Sequence, residues 1–123
     1  MQIFNQLTEQ EGRIALTLQL ARLGHDLICV LSGGQAHLGA TAVASPSLES
    51  LDQVWCCQLP GHREGEIAVQ LAFDLAHSYQ CQVQTSVGIH FVKISQAEIA
   101  TVYRLVASLT AKVVAMVEKK AES

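Results

Sequence analysis

Between Arg13 and Leu23 the chain alternates: Ile14, Leu16, Leu18 and Leu20 face one way, Arg13, Thr17 and Gln19 the other. A period of two places a strand half-buried, one face on a core and one in solvent. Such a strand requires neighbours for its edges and a layer for its apolar face. Gly24-His25-Asp26 reads as a tight turn. Leu27 to Leu31 is continuously apolar and reads as a central strand covered on both faces, paired with the first as a hairpin. Ser32-Gly33-Gly34 ends it.

Leu38 to Ser45 predicts a third strand, with Ala40, Ala42 and Ala44 on one face and Thr41, Val43 and Ser45 on the other. Its small face leaves room for a ligand or a closely packed helix. Pro46 to Asp52 is a polar loop, and Val54 to Leu59 a fourth strand ended by Pro60-Gly61. From Glu64 to Gln80 the period becomes helical, with Ile67, Leu71 and Leu75 flanked by Ala68, Ala72 and Ala76. Cys81 to Ile89 alternates again. If Val83, Thr85 and Val87 pack on the helices, His90 projects to the other face.

The last element is the most strongly signalled. Ser95 and Glu98 form a capping box, with Ile94 and Ile99 placed as a hydrophobic staple. Ile99, Val102, Val106, Leu109, Val113 and Met116 make one stripe, and Lys119 and Lys120 suit the negative C-terminal end. A helix of about 25 residues spans roughly 37 Å, more than a small domain needs, so a homodimer through it is expected. On this reading Val106→Asp unfolds the domain or dissolves the oligomer. The order β-β-β-β-α-β-α predicts an α+β fold. It is a two-layer sandwich, a mixed or antiparallel sheet of about five strands with two main helices on one face.

Composition bounds the function. The 123 residues fit one domain, residues 1–123, and at this size roughly two-thirds of the unfolded surface can be buried. A net charge of −3 without a basic run argues against nucleic acid. No uninterrupted apolar run reaches the roughly 18 residues of a membrane span. Met1 to Gly12, with Glu9 and Glu11, does not read as a signal peptide. Cys29, Cys56, Cys57 and Cys81 contain no C-x-x-C pair. They read as buried reduced thiols of a cytoplasmic protein, not a disulfide frame or a zinc ribbon.

Three histidines sit close to glycines at element ends: His37 between Gly34 and Gly39, His62 after Gly61, and His90 after Gly88. Imidazole can ligate a metal, move a proton or donate to a phosphate, and glycine allows close backbone approach. The three are expected to converge on one polar site. His62-Arg63-Glu64 adds a cation and a carboxylate at the mouth of a helix, where exposed amides favour anions. Arg63 can fork two hydrogen bonds to a phosphate or carboxylate. Neutral imidazoles at His37, His62 and His90 would suit a first-row divalent metal, although no compact ligand motif is present. His25 and His77 read as structural. No G-x-S-x-G, Walker or dinucleotide fingerprint occurs.

The segments Leu31 to Gly39, His62-Arg63, and Gly88-Ile89-His90 followed by Ile94-Ser95 and a helix resemble the LpdD-type family, over roughly residues 13–115. These small proteins accompany UbiD-type hydroxyarylic acid decarboxylases such as gallate and vanillate decarboxylases. The resemblance implies a non-catalytic, cytoplasmic chaperone that holds prenylated FMN between a flavin prenyltransferase and the decarboxylase. It implies a cofactor site of Gly33, Gly34, His37, Gly39, His62, Arg63, His90 and Lys93. Glycine amides, Arg63 and Lys93 would meet the phosphate. The Ala40-Ala42-Ala44 face would leave an apolar slot for the ring, and Trp55 or Phe91 would stack on it or belong to the core. The histidines would bond the flavin's polar edge, or bridge to the phosphate through a divalent metal. Two other readings stand beside it: a metal-dependent hydrolase or isomerase using the three histidines, and a ligand-free accessory subunit of the decarboxylase.

Overall fold

The computed structural model describes residues 1–122, with side-chain surroundings through residue 117. Lys119 and Lys120 lie outside those described side chains. The elements are β1 (Ile3–Glu11), β2 (Ile14–Leu23), β3 (Asp26–Gly34), β4 (Ala40–Ala44), β5 (Trp55–Gln58), α1 (Gly65–Tyr79), β6 (Val83–His90) and α2 (Gln96–Glu122), with one 3-10 turn at Leu51–Gln53. The sheet has six strands in the order β1-β2-β3-β6-β4-β5, one more than expected. The β3–β6 pair is parallel and the other pairs are antiparallel. Both helices pack on one face, so the fold is the expected α+β sandwich.

The additional strand, β1, pairs along the whole of β2 from Glu11 opposite Ile14 to Ile3 opposite Ala21. Its inward residues meet α2 through polar contacts. Ser108 donates to Glu9 at 2.8 Å, Lys112 pairs with Glu9 at 3.1 Å, and Arg104 pairs with Glu11 at 2.8 Å. The strand is at most half-buried, and its inward residues mix one apolar side chain on the core, Leu7, with the polar Asn5 and Glu9, so the sequence displays no apolar alternation.

The covered face is built as the alternation requires. Ile14, Leu16, Leu18 and Leu20 of β2, Leu27, Cys29 and Leu31 of β3, and Val83 and Val87 of β6 are fully buried. The opposite face is open. Val30 is 37% exposed and Ile28 is only half-buried, so β3 is covered on one face, not two. The continuous apolar run misled because its outward members are apolar without being covered.

The small face of β4 is taken by a helix. Ala40, Ala42 and Ala44 are buried, as are Ala68, Ala72 and Ala76 of α1, which packs against β4. Small residues on both sides let the helix axis come close, and Thr85 beneath it donates to the Ala68 carbonyl at 2.8 Å. The slot expected here for a flavin ring is therefore filled by protein. Ala42→Leu should force the layers apart and cost about 1–3 kcal/mol, read as a lowered denaturant midpoint with unchanged slope. An unshifted midpoint would mean that this contact is loose.

Arg13 and the capping box fix the start of α2. Ser95 and Glu98 satisfy each other's amides at 3.1 Å, and Arg13 forks onto Glu98 at 2.7 and 3.0 Å. The Arg13 guanidinium, followed by the Ser95 amide, holds the Glu98 carboxyl down at about 2 from an ordinary 4.5. Because the folded carboxyl is harder to protonate than the unfolded one, its stabilisation is present above about pH 4.5 and is lost as pH falls toward 2. Glu98→Gln should flatten the melting-temperature profile across that window. Parallel wild-type and variant profiles would show that the pair does not act.

Along α2, Val102, Leu105, Leu109 and Val113 are buried, whereas Ile99 is 36% exposed and Val106 half-buried. The buried stripe is thus turned toward Leu105, which the heptad-like spacing passed over. Residues 96–117 reach a mean hydropathy of 1.5 over an 18-residue window, which is long and apolar enough to cross a membrane. The uninterrupted run sought in the sequence is absent because Arg104 and Lys112 break it. Here the buried side of that helix is the core of the sheet layer, and Arg104 and Lys112 pair with β1.

Candidate functional site

The topology gathers the glycine–histidine loops. Strands β3 and β4 flank β6, so residues 35–39 must cross over its C-terminal end. The crossing is pinned by Gln35 N–H to the His90 carbonyl at 2.9 Å and Gly39 N–H to the Val87 carbonyl at 3.0 Å. It lies directly on Gly88, where a Cβ would run into the His37 carbonyl. The β5–α1 loop arrives beside it, its Leu59 N–H bonded to the Gly39 carbonyl at 2.9 Å and its Gly61 at φ +80°. The C-terminal ends of β3, β5 and β6 and the start of α1 thus share one end of the sheet.

His37, His62 and His90 meet there. The His37 and His62 rings stack with centroids 4.6 Å apart and planes 29° from parallel. His90 stands edge-on to His37 at 6.2 Å. Glu64, the residue before α1 and by sequence a charge at a helix mouth, joins them. It is 8% exposed, and its carboxylate occupies the place where a Cβ of Gly39 would be. Its Oε1 lies 3.2 Å from His37 Nε2 and its Oε2 3.8 Å from His62 Nδ1. Oε2 is buried and has no hydrogen-bond partner among the described residues. The signal that could have found Glu64 is a carboxylate placed two residues after a histidine, where a helix cap would otherwise stand.

The His37 ring has a defined orientation. Its Nδ1 is 3.0 Å from the Gln35 carbonyl, which can only accept, so Nδ1 carries hydrogen and Nε2 faces Glu64. The grouping His37, His62 and Glu64 places one nitrogen or oxygen of each residue within 4.8 Å of the others. His90, the third histidine expected in a metal site, stands beside this grouping and is not one of its three members.

The remaining expected residues are distributed as follows. Arg63 is exposed between His62 and Glu64, and Lys93 is exposed in the turn after β6 at φ +53°. Neither shows an ion pair among the described residues. Gly33 is buried, its missing Cβ replaced by Leu16 and the Ala15 carbonyl, and Gly34 at φ +66° abuts the His90 carbonyl. Close packing alone accounts for glycine at both. Trp55 is 58% exposed on the open edge strand, and Phe91 is half-buried against the core with the Arg13 guanidinium 5.9 Å from its ring centre. His77 hydrogen-bonds the Leu48 carbonyl at 2.8 Å and packs on Phe73, a structural role; His25 is exposed in its turn.

A separate cleft of about 1110 Å³ runs between α1 and α2. Ile67, Leu71, Tyr103, Val106 and Ala107 make it largely apolar, and its charged residues are Asp52, Glu66 and Asp74. The histidines do not line it, but it reaches Gly65, one residue from Glu64. An apolar ring fits such a lining; a phosphate dianion does not, because all three charges repel it. The thiols are divided. Cys29 and Cys81 are buried, with burial pushing Cys29 up to about 12, whereas Cys56 and Cys57 are exposed, contrary to the expectation that all would be covered.

Comparison with known proteins gives two findings. A family model described as the prenylated flavin chaperone LpdD-like domain matches residues 10–118. Among solved structures, the chain is similar to one titled as the crystal structure of a novel chaperone complex for yeast 20S proteasome assembly. That similarity has a TM-score of 0.57 at 9% identity, over 94% of this chain and 95% of the other. At that identity the likeness concerns the fold. No curated protein matches the chain.

Proposed function

The chain belongs to the prenylated flavin chaperone LpdD-like family, and from that premise we propose that it is a non-catalytic carrier of prenylated FMN. The carrier receives the cofactor from a flavin prenyltransferase and delivers it to a UbiD-type hydroxyarylic acid decarboxylase, both contacts being transient and cytoplasmic. The observation that supports this reading most is the convergence of three sequence-distant histidine loops at one end of the sheet. Among the described residues Arg22, Arg63 and Lys93 make no ion pair, and of these Arg63 and Lys93 belong to the same loops or the adjoining turn. Those two, with His90, are assigned to the phosphate. The apolar cleft ending at Gly65 suits the prenylated ring system better than the β4 face, which α1 fills. The bound flavin supplies its chemistry to the decarboxylase, and this chain's residues orient it and shield it from solvent.

The carrier is further proposed to act as a homodimer. Its open sheet face leaves Val30, Val43 and Trp55 exposed, and α2 leaves Ile99 and Tyr103 exposed. Mass measurement in solution reads this directly. The delivery step is tested by mixing flavin-loaded protein with an apo-decarboxylase under anaerobic conditions and assaying the gain of decarboxylase activity. Faster or fuller activation than an equal amount of free cofactor supports the carrier, and equal activation removes it. The grouping of His37, His62 and Glu64 favours a metal-dependent hydrolase or isomerase as the second reading. That reading requires turnover of a substrate, lost on chelation.

A further inference from the structure

We propose that His37, His62 and Glu64 form a divalent-cation site for a first-row metal of the zinc or cobalt class. The inference stands apart from the flavin reading, and its test needs no flavin. Three observations point to a cation. The first is the orphaned oxygen. Glu64 is 8% exposed, and its buried Oε2 faces His62 Nδ1 at 3.8 Å, too far for a hydrogen bond. A buried carboxylate oxygen without a partner is costly, and a metal would satisfy it.

The second is the spacing. Nitrogen and oxygen ligands bound tetrahedrally at 2.0–2.1 Å stand about 3.3 Å apart. His37 Nε2 lies 3.2 Å from Glu64 Oε1 and His62 Nδ1 lies 3.8 Å from Glu64 Oε2, so each imidazole faces its own oxygen of the one carboxylate; with one ligand atom taken from each residue, the three lie within 4.8 Å of one another. The third is the outer contact. His37 gives its Nδ1 hydrogen to the Gln35 carbonyl at 3.0 Å and turns Nε2 toward Glu64. Metal-bound histidines are held in this way, which fixes the tautomer and the ring plane. Three protein ligands leave at least one coordination position for water or an oxyanion.

The backbone builds this arrangement specifically. Gly88 admits the His37 crossing and Gly39 admits the Glu64 carboxylate, so side chains at either glycine would displace a ligand. Cys56 and Cys57 are exposed nearby in sequence and are the competing soft donors to be excluded.

The test is titration of chelator-stripped full-length protein with Co²⁺, read by visible absorption, and with Zn²⁺, read by calorimetry. One equivalent per chain is expected, with a Co²⁺ spectrum of nitrogen and oxygen ligands that lacks thiolate charge transfer. Glu64→Gln and the His37→Ala/His62→Ala pair should each weaken binding by about 100-fold or more. Cys56→Ser/Cys57→Ser should not. Zn²⁺ should raise the melting temperature of wild type but not of those ligand variants, which separates lost binding from lost folding. His62→Ala, at a half-buried loop position, serves as the ligand variant if Glu64→Gln folds poorly. Absence of saturable one-to-one binding to folded wild type would overturn the site, as would wild-type affinity in the His37→Ala/His62→Ala protein.

Discussion

Gly88→Ala is expected to dismantle the histidine cluster while leaving the rest of the sheet in place. The new methyl would fall on the His37 carbonyl, with the His37 nitrogen 3.1 Å away. Both are main-chain atoms of a segment tied to β6 on either side of the collision by Gln35 and Gly39. The crossing cannot rotate aside as a flexible side chain would, and must lift bodily, taking His37 from Glu64. Overpacking of this kind costs about 1–3 kcal/mol and occasionally more. For a domain of this size that lowers the melting temperature by roughly 5–15 °C. Gly24 provides the control. Its φ is positive, +62°, unlike that of Gly88, and the space around its missing Cβ is open. Gly24→Asn should therefore be nearly neutral, since asparagine tolerates the left-handed region. If Gly88→Ala retained wild-type melting and the wild-type His37 proton resonances, the crossing would not lie where the structure puts it.

Leu109→Asp should abolish cooperative folding. Leu109 is fully buried in α2, in the stripe with Val102, Leu105 and Val113. A carboxylate there finds no cation and no water, a penalty of several kcal/mol added to the loss of leucine burial. The total approaches the roughly 5–15 kcal/mol by which domains are stable at all. Leu109→Ala, which adds no charge, should cost about 2–5 kcal/mol and remain folded. Val106→Asp now belongs to a different class. Val106 is half-buried and lines the cleft between the helices, so its aspartate should fold and fail in the cleft. Circular dichroism melts of the three variants rank these effects. A cooperative Leu109→Asp melt near that of wild type would refute the helix placement.

How much of this was legible depends on what each residue is packed against. The hairpin of β2 and β3, α1, β6 and α2 all bury apolar side chains on one face, and periodicity reports that directly. Strand β1 escaped because Glu9 and Glu11 meet Ser108, Lys112 and Arg104, an interface that reads as solvent-facing in sequence. The alanines of β4 were ambiguous because the same small stripe suits a ligand or a helix, and only the alanines of α1 decide it. The α2 stripe was displaced because a spacing counted from Ile99 skips Leu105. Glycine beside histidine marked the loops correctly as places of close approach, since Gly88 and Gly39 carry the His37 backbone and the Glu64 carboxylate. In sequence, Glu64 carries only the signature of a charge at a helix mouth. Its contact with residue 39 is a product of the β3–β6–β4 crossover, which no local pattern encodes.

The carrier reading is tested most directly by anaerobic titration of the purified protein with reduced prenylated FMN and, in parallel, plain FMN. Binding is followed by absorbance and calorimetry. The account expects saturable, stoichiometric binding of the prenylated flavin, clearly tighter than of FMN, without turnover. That binding should be weakened by Arg63→Ala, Lys93→Ala and His90→Ala in proteins that melt normally. Failure of folded protein to bind either flavin, with or without divalent metal, would contradict it.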